Sequence, residues 1–257
     1  MQAQPTEAVY NAEASNWKRD QRVLLSDFTA RPFVLEELGP IAGAHVLDLG
    51  CGEGYLARRL AEAGAASVFG VDISSQMVQT ARQAIPAETT CAMAFEVGDA
   101  PRFTQFTQFP GQAFDRAMAV FLFNYLTRAE MTSVMGRVRA LLAPGGRFVF
   151  TVPHPCFPYM GPPVAPFFFA TEGMNYFAGV DHTYEGKIWR RDGIPVPVRC
   201  VHKTFSDYFG ALAASGFTLL PRIVELRVTE EHVALDPAFF EPLYGLPLHL
   251  LFRVEVG

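Results

Sequence analysis

Short apolar runs alternate with stretches of helical periodicity from His45 to Val152, and no other feature restricts the fold as much. His45–Leu49, Ser67–Val71, Ala94–Val97, the centre Ala117-Met-Ala-Val120 of a run over 115–121, and Arg147–Val152 read as buried strands. Between them, Leu56/Leu60 and Ala57/Ala61 recur at helical spacing, and Ser74 can cap a helix carrying Met77, Val78 and Ala81. Arg128–Leu142 places Met131, Val134, Met135, Val138 and Leu142 on one stripe, and Pro144-Gly145-Gly146 stops it. Strands that alternate with helices build βαβ units, and right-handed crossovers then wind helices onto both faces of a parallel sheet. The expected class is therefore α/β with a doubly wound sheet.

The flanks depart from this rhythm. Residues 1–9 read as a loose tail, and Tyr10–Leu38 as helical, with one stripe at Val23, Leu24, Leu25 and Phe28 and another after Pro32 at Phe33, Val34, Leu35 and Leu38. After Pro153 the alternation halts for about fifty residues rich in proline and aromatics. Within them Asp192-Gly193 reads as a turn between strands Ile188–Arg191 and Ile194–Val201, the second demoted to an edge by Pro195 and Pro197. The rhythm resumes at Thr204, spaced from Asp207 as in a capping box, with a helix to Ser215 and a stop at Gly216. Phe217–Leu226 and Leu248–Val256 read as the last two strands.

Composition narrows the classes of function. Of 257 residues, 50% are hydrophobic and 18% charged, which supplies a core and excludes a disordered chain. A net charge of −5 lacks the basic footprint of a protein that lives on nucleic-acid phosphates. No apolar run is long enough to span a bilayer, and Met1–Tyr10 has no apolar signal core, so a cytoplasmic location is expected. The four cysteines (51, 91, 156, 200) form no CxxC pair, which argues against a zinc ribbon or disulfide framework, and nothing calls for a metal.

The sharpest motif is Val46-Leu-Asp-Leu-Gly-Cys-Gly-Glu-Gly-Tyr55, set between a strand and a helix, where an open α/β sheet binds its ligand. Gly50 and Gly52 let the backbone turn sharply and approach a cofactor. Asp72 ends the second strand, 22 residues past Gly50, where a carboxylate can accept from ribose hydroxyls. The nicotinamide fingerprint is GxGxxG, whereas this loop reads GxGxG with Tyr55 at the place of its last glycine. Asp48, two residues before the first glycine, would repel a pyrophosphate but welcome an ammonium and a sulfonium.

Taken with Val68-Phe-Gly-Val-Asp-Ile-Ser74, Val97-Gly-Asp-Ala100, Phe114–Leu126 and Leu141-Leu-Ala-Pro-Gly-Gly-Arg-Phe148, the loop resembles the class I S-adenosylmethionine-dependent methyltransferases, in particular their small-molecule branch. The resemblance implies a seven-stranded, mostly parallel Rossmann-like sheet whose last strand is antiparallel. It divides the chain into a helical cap (1–42), a cofactor-binding core (43–153), an inserted substrate lid (154–203) and the remainder of the core (204–257). Asp48, Gly50 and Gly52 would line the methionine moiety with Cys51 as small filler, and Asp72 would hold the ribose. Ile73 and Met77 would lie along the adenosine, Asp99 would accept from the adenine amino group beside Ala100, and Phe121 would lie near the sulfonium. Closure of N-terminal helices over the cofactor adds Tyr10, Trp17 and Arg22. The fourth strand ends Ala119-Val-Phe-Leu-Phe123, not in the Asn/Asp-Pro-Pro-aromatic pattern of adenine or glutamine amide methyltransferases.

The expected partner is then a small-molecule acceptor, with neither nucleic acid nor membrane. Methyl transfer from a sulfonium is an in-line displacement that needs a base only if the acceptor loses a proton. Candidate bases are His154, His182 and His202; His45, His232 and His249 rank lower. The aromatic insert has two readings, a subdomain with its own core or a lid that sorts apolar acceptors through Tyr159, Phe168 and Tyr184. Asn124 and Tyr125 either face the acceptor or start the next helix. The cations Lys187, Arg190, Arg191, Arg199 and Lys203 form either a solvated hairpin face or a grip on an acidic acceptor. Two rival functions are a non-catalytic S-adenosylmethionine-binding partner or sensor, and a nicotinamide-dependent oxidoreductase.

Overall fold

A computed structural model describes residues 5–19, 21–102, 111, 113–161 and 163–257. Its main sheet has seven strands: β1 (His45–Leu49), β2 (Ser67–Asp72), β3 (Ala92–Val97), β4 (Phe114–Val120), β5 (Leu142–Pro153), β9 (Arg222–Leu226) and β10 (His249–Glu255). A second sheet holds β6 (Phe167–Ala170), β7 (Thr183–Trp189) and β8 (Pro195–Val201). The helices are α1 (Thr6–Trp17), α2 (Ser26–Thr29), α3 (Arg31–Leu38), α4 (Tyr55–Glu62), α5 (Ser75–Gln83), α6 (Arg128–Leu141), α7 (Phe205–Ala214), α8 (Glu230–Leu235) and α9 (Pro237–Phe240).

The main sheet runs β3-β2-β1-β4-β5-β10-β9, and β10 pairs antiparallel with both of its neighbours. The winding order reverses at β1, so the connections that leave β1 and β4 part to opposite faces and leave a crevice beyond the C-terminal ends of these strands. Alternate residues of each strand feed two cores. One joins Leu47, Phe69, Phe148, Phe150 and Phe252 to α6 and α7; the other joins Val46, Val68, Met118 and Leu251 to α3, α4 and α5. Phe150 stacks on Phe252 at 4.7 Å, and a buried phenylalanine of this kind contributes about 1.5–3 kcal/mol.

Local signals act as the sequence suggests. The Ser74 hydroxyl accepts from the Met77 amide at 3.1 Å, and Thr204 and Asp207 complete a capping box. Three expectations need correction. The helical region does not begin at Tyr10 and run to Leu38: α1 starts at Thr6, and residues 18–25 separate it from α2. The first four residues of the expected tail lie outside the described residues. The hairpin strand begins at Thr183 rather than Ile188, and β6 pairs on its far side, so β8 is an edge as its prolines require. Between β9 and β10 stand α8 and α9, which the periodicity did not announce.

The second sheet lies over a third core that it shares with Leu25 and Phe28 of the N-terminal region and with Val228, Phe240 and Leu248. The insert thus has no core to itself: the core beneath its sheet is built jointly with these other segments, and Phe167, Phe169, Ile188 and Val198 from it border the crevice.

Candidate active site

The crevice opens into a cavity of about 610 Å³ that runs from the glycine loop to the underside of the second sheet. Gly50, Gly52 and Gly54 have φ of 73°, 54° and 78°, a backbone that L side chains rarely adopt. A Cβ on Gly52 would meet nothing within 4 Å on its way into the cavity, whereas one on Gly54 would press Ala81 and Phe95 at 3.2 Å. The loop therefore bends onto α5 and leaves its other side open. Tyr55 is buried beneath the Arg19 guanidinium, 4.4 Å from the ring centre, so the tyrosine that breaks the dinucleotide fingerprint has a packing role.

Two carboxyls face the cavity. Asp72 accepts from the Gly52 amide and the Ser74 amide, both at 2.9 Å, which clamps its carboxylate across the loop. Burial raises its pKa, and those amides pull it back. Asp48 is 2% exposed, and among the described residues no donor reaches its carboxyl. Burial first, then repulsion from Asp72, lifts its pKa to about 8 against the pull of Arg31. Asp48 is therefore a largely protonated acid at neutral pH, able to ionise when a cation arrives.

Arg31 lines the same cavity and is tied to Asp27 at 3.1 Å and to Ser26. Asp27 also receives Arg19 at 3.0 Å, and Arg19 reaches Glu53 in the glycine loop at 3.2 Å. Arg58 closes the chain on Glu53 at 2.8 Å. This buried network stitches the segment after α1 to the loop; neither Arg19 nor Arg31 was singled out in the sequence, because only the fold brings residues 19–31 over residues 48–53.

From the cap, Tyr10 and Trp17 line the cavity, and the Tyr10 hydroxyl donates to that of Tyr125. Cys51, Ile73, Met77, Asp99, Ala100, Phe121, Asn124 and Tyr125 line it too. Phe121 has φ 58°, a strained value for a non-glycine residue, and its ring lies 4.9 Å from that of His249.

Other candidates lie outside the lining. Arg22 is exposed, whereas Arg19, Arg31 and Arg102 line the cavity, the first two from the N-terminal region. Phe168 packs at a tilt against Trp189 on the outer face of β6, while Phe167 and Phe169 face the cavity. Tyr184 shares the inner face of β7 with Ile188 but sits farther along, where its hydroxyl bonds that of Tyr159 at 2.9 Å beside His202. His154 is 3% exposed with both ring nitrogens occupied: Nε2 meets Glu225 at 3.1 Å, and Nδ1 accepts from the Cys156 amide at 3.2 Å. His182 is exposed, and His202 is held by the Tyr176 carbonyl at 2.9 Å. None of these histidines reaches the cavity; His249 does. The basic cluster is internally paired: Arg190 with Asp192, Arg191 with Asp236 and Arg199 with Glu185. Lys203 is buried and donates to the Phe123 and Val201 carbonyls.

Comparison with known proteins bears on this geometry. The methyltransferase-domain family matches residues 46–146, the span of the loop, the Asp72 strand and the Phe121 strand. An S-adenosylmethionine-dependent methyltransferase from Mesorhizobium loti superposes with a TM-score of 0.64 at 26% identity, covering 87% of this chain and 96% of that one. These likenesses support a class I S-adenosylmethionine-dependent methyltransferase, with the methyltransferase domain at residues 46–146. A family relative, the demethylmenaquinone methyltransferase of Tropheryma whipplei, is 33% identical over 143 residues, 55% of this chain and 56% of that protein. The aklanonic acid methyltransferase of a Streptomyces species is 30% identical over 132 residues, 49% of this chain and 57% of that protein. The chain thus spans about half the length of the curated relatives it matches.

The family's cofactor is S-adenosylmethionine, and the donor set fits it. An open glycine cradle, a clamped carboxylate and an uncommitted buried acid meet a ligand with ribose hydroxyls, an ammonium and a sulfonium. No helix of the described residues is long and apolar enough to cross a membrane.

Proposed function

We propose that the protein transfers a methyl group from S-adenosylmethionine to a small aromatic or apolar metabolite held beneath the second sheet. One observation carries the reading: a single cavity joins the acidic glycine loop to a chamber walled by Phe121, Tyr125, Phe167, Phe169, Ile188 and Val198. The loop end suits a polar cationic cofactor, and the chamber suits an apolar guest.

In this reading Asp72 receives the ribose hydroxyls, Asp99 and Ala100 border the adenine, and Ile73 and Met77 pack along it. Asp48 ionises to meet the ammonium, and Arg31 offers the nearest cation for the carboxylate. When bound, the cofactor supplies an electrophilic methyl group on sulfur. The chain's own part is to align the acceptor and keep water away, which Phe121 and the inner face of the second sheet accomplish. Two relatives are named for demethylmenaquinone and aklanonic acid, and an acceptor of that small kind is consistent with the chamber.

The test is transfer of a labelled methyl group from S-adenosylmethionine into a cell extract divided into small-molecule and macromolecular fractions. Label in the small-molecule fraction is expected. Label confined to macromolecules overturns the acceptor class. No label despite calorimetric binding of S-adenosylhomocysteine leaves a cofactor-binding protein without turnover.

A further inference from the structure

Buried polar side-chain atoms without a partner are rare, and each calls for an explanation. Among the described residues four remain: Nδ1 and Nε2 of His249, Oδ1 of Asn124 and Oγ1 of Thr151. His249 and Asn124, which own three of them, both line the cavity although they are 1% and 3% exposed. His249 opens β10 and Asn124 follows β4, so two separate elements bring unsatisfied atoms to one chamber. Thr151 lies on the neighbouring strand, directly opposite Leu251.

The surroundings of His249 are apolar. Phe121 flanks its ring at 4.9 Å and Phe167 at 5.7 Å, one from the core and one from the second sheet. The Leu248 carbonyl comes near without reaching hydrogen-bond geometry; it accepts from the His154 amide instead. Asn124 is oriented, since its amide nitrogen donates to the Arg199 carbonyl at 2.9 Å, which leaves the oxygen as the free end.

We propose that His249 and Asn124 recognise the acceptor, and that they select an aromatic ring bearing a hydroxyl group. The inference rests on the methyl-transfer reading above and specifies its substrate. A neutral imidazole presents one donor and one acceptor on opposite edges of the ring, so a guest hydroxyl donates to the accepting nitrogen while the other N–H is left for a second acceptor. A carboxylate has no proton to donate and would leave the accepting ring nitrogen unpaired. A second donor on the guest, such as a neighbouring hydroxyl, meets Asn124 Oδ1. The flanking rings of Phe121 and Phe167 favour a flat guest. Burial, then the nearby Arg31, hold the His249 pKa down to about 3, so the ring is neutral at any physiological pH. In the transfer the S–C bond breaks and an O–C bond forms. The hydroxyl proton passes to the ring nitrogen that accepted it, so the positive charge moves from sulfur to imidazole and leaves as that proton on product release.

The experiment compares the protein with its His249→Phe and His249→Gln variants. It measures label transfer into the small-molecule fraction, S-adenosylhomocysteine affinity by calorimetry, and thermal melting. Phenylalanine keeps the ring and removes both nitrogens; glutamine keeps one donor and one acceptor. The expected result is at least about a hundredfold less transfer for His249→Phe, partial recovery for His249→Gln, and an unchanged cofactor affinity in both. The labelled product should be a methyl ether, stable to mild alkali. Unimpaired transfer by His249→Phe overturns the proposal, as does label released by alkali from an ester or found on nitrogen. Absence of transfer by the unaltered protein itself is a different pattern and overturns the methyl-transfer reading and this one with it. If His249→Phe does not fold, ¹⁵N-histidine spectra of the S-adenosylhomocysteine complex are followed as the same fraction is added. Both His249 ring nitrogens should shift, and unmoved signals overturn the proposal.

Discussion

Asp48 and His249 are perturbed in opposite directions, and each sets a pH dependence. Asp48 has a folded pKa of about 8, above its ordinary value, so the fold favours its neutral form. Its contribution to stability is complete below about pH 4 and is lost as pH rises through 8. A cation entering the cavity favours the carboxylate and must expel the proton. Cofactor affinity should therefore climb between pH 6 and 8 by up to about tenfold per unit. Calorimetry in two buffers of different ionisation enthalpy should show proton release that Asp48→Asn abolishes. His249 has a folded value of about 3, below its ordinary one. The stability of its neutral burial is present above about pH 6.5 and is lost as pH falls toward 3. His249→Phe should consequently resist acid better, by on the order of 3 kcal/mol at pH 4, in denaturant titrations. Asp72→Ala should lose cofactor binding while melting as a folded protein, since its carboxylate joins Gly52 to Ser74 at the loop. The placement of the loop and Asp72 at one cavity was legible because both follow strand ends that a single βαβ unit brings together. His249 was not: a histidine at the head of a late strand looks like any other until Phe121 and Phe167 close around it.

Elements differ in how firmly they are held. α1 has no fully buried residue and is pinned by a few contacts: Tyr10 to Tyr125, Asn11 to Ser74 at 2.7 Å, and the Asn16 carbonyl to Arg190 at 2.7 Å. Its amides should exchange with deuterium well ahead of those of α4 and α5, and should slow when S-adenosylhomocysteine binds. β2 shows the opposite case. A Cβ at Gly70 would stand 2.5 Å from Phe95 and 2.9 Å from Cys51 beneath the loop. Gly70→Ala should destabilise by about 1–3 kcal/mol and weaken cofactor binding, read by melting and calorimetry together. Strands β1 to β5 were legible from their apolar runs. β6 was not, because four residues give too short a run to establish which side faces inward. The run Phe167-Phe-Phe169 offers either parity, and pairing with β7 decides for Phe167 and Phe169 over Phe168.

At the scale of the whole molecule, the Arg58–Glu53–Arg19–Asp27–Arg31 chain ties cap, loop and cavity into one unit. Burial alone would raise the Asp27 pKa, but Arg31, Arg19 and the Leu24 and Val23 amides hold it below the usual carboxylate range. Asp27→Asn leaves two buried guanidiniums short of a counter-charge and should cost about 3–5 kcal/mol in denaturant titrations. Seven strands with an antiparallel last one were expected only through the family resemblance, and spacing along the chain says nothing of β10 entering between β5 and β9. That insertion also bears on how the protein comes into being on the ribosome. The cofactor-binding strands β1 to β4 are translated long before β10, and until β10 emerges a gap remains between β5 and β9. His249 travels with β10, so a nascent chain can build its glycine-loop cradle early while the chamber beneath the second sheet stays without a wall until β10 emerges.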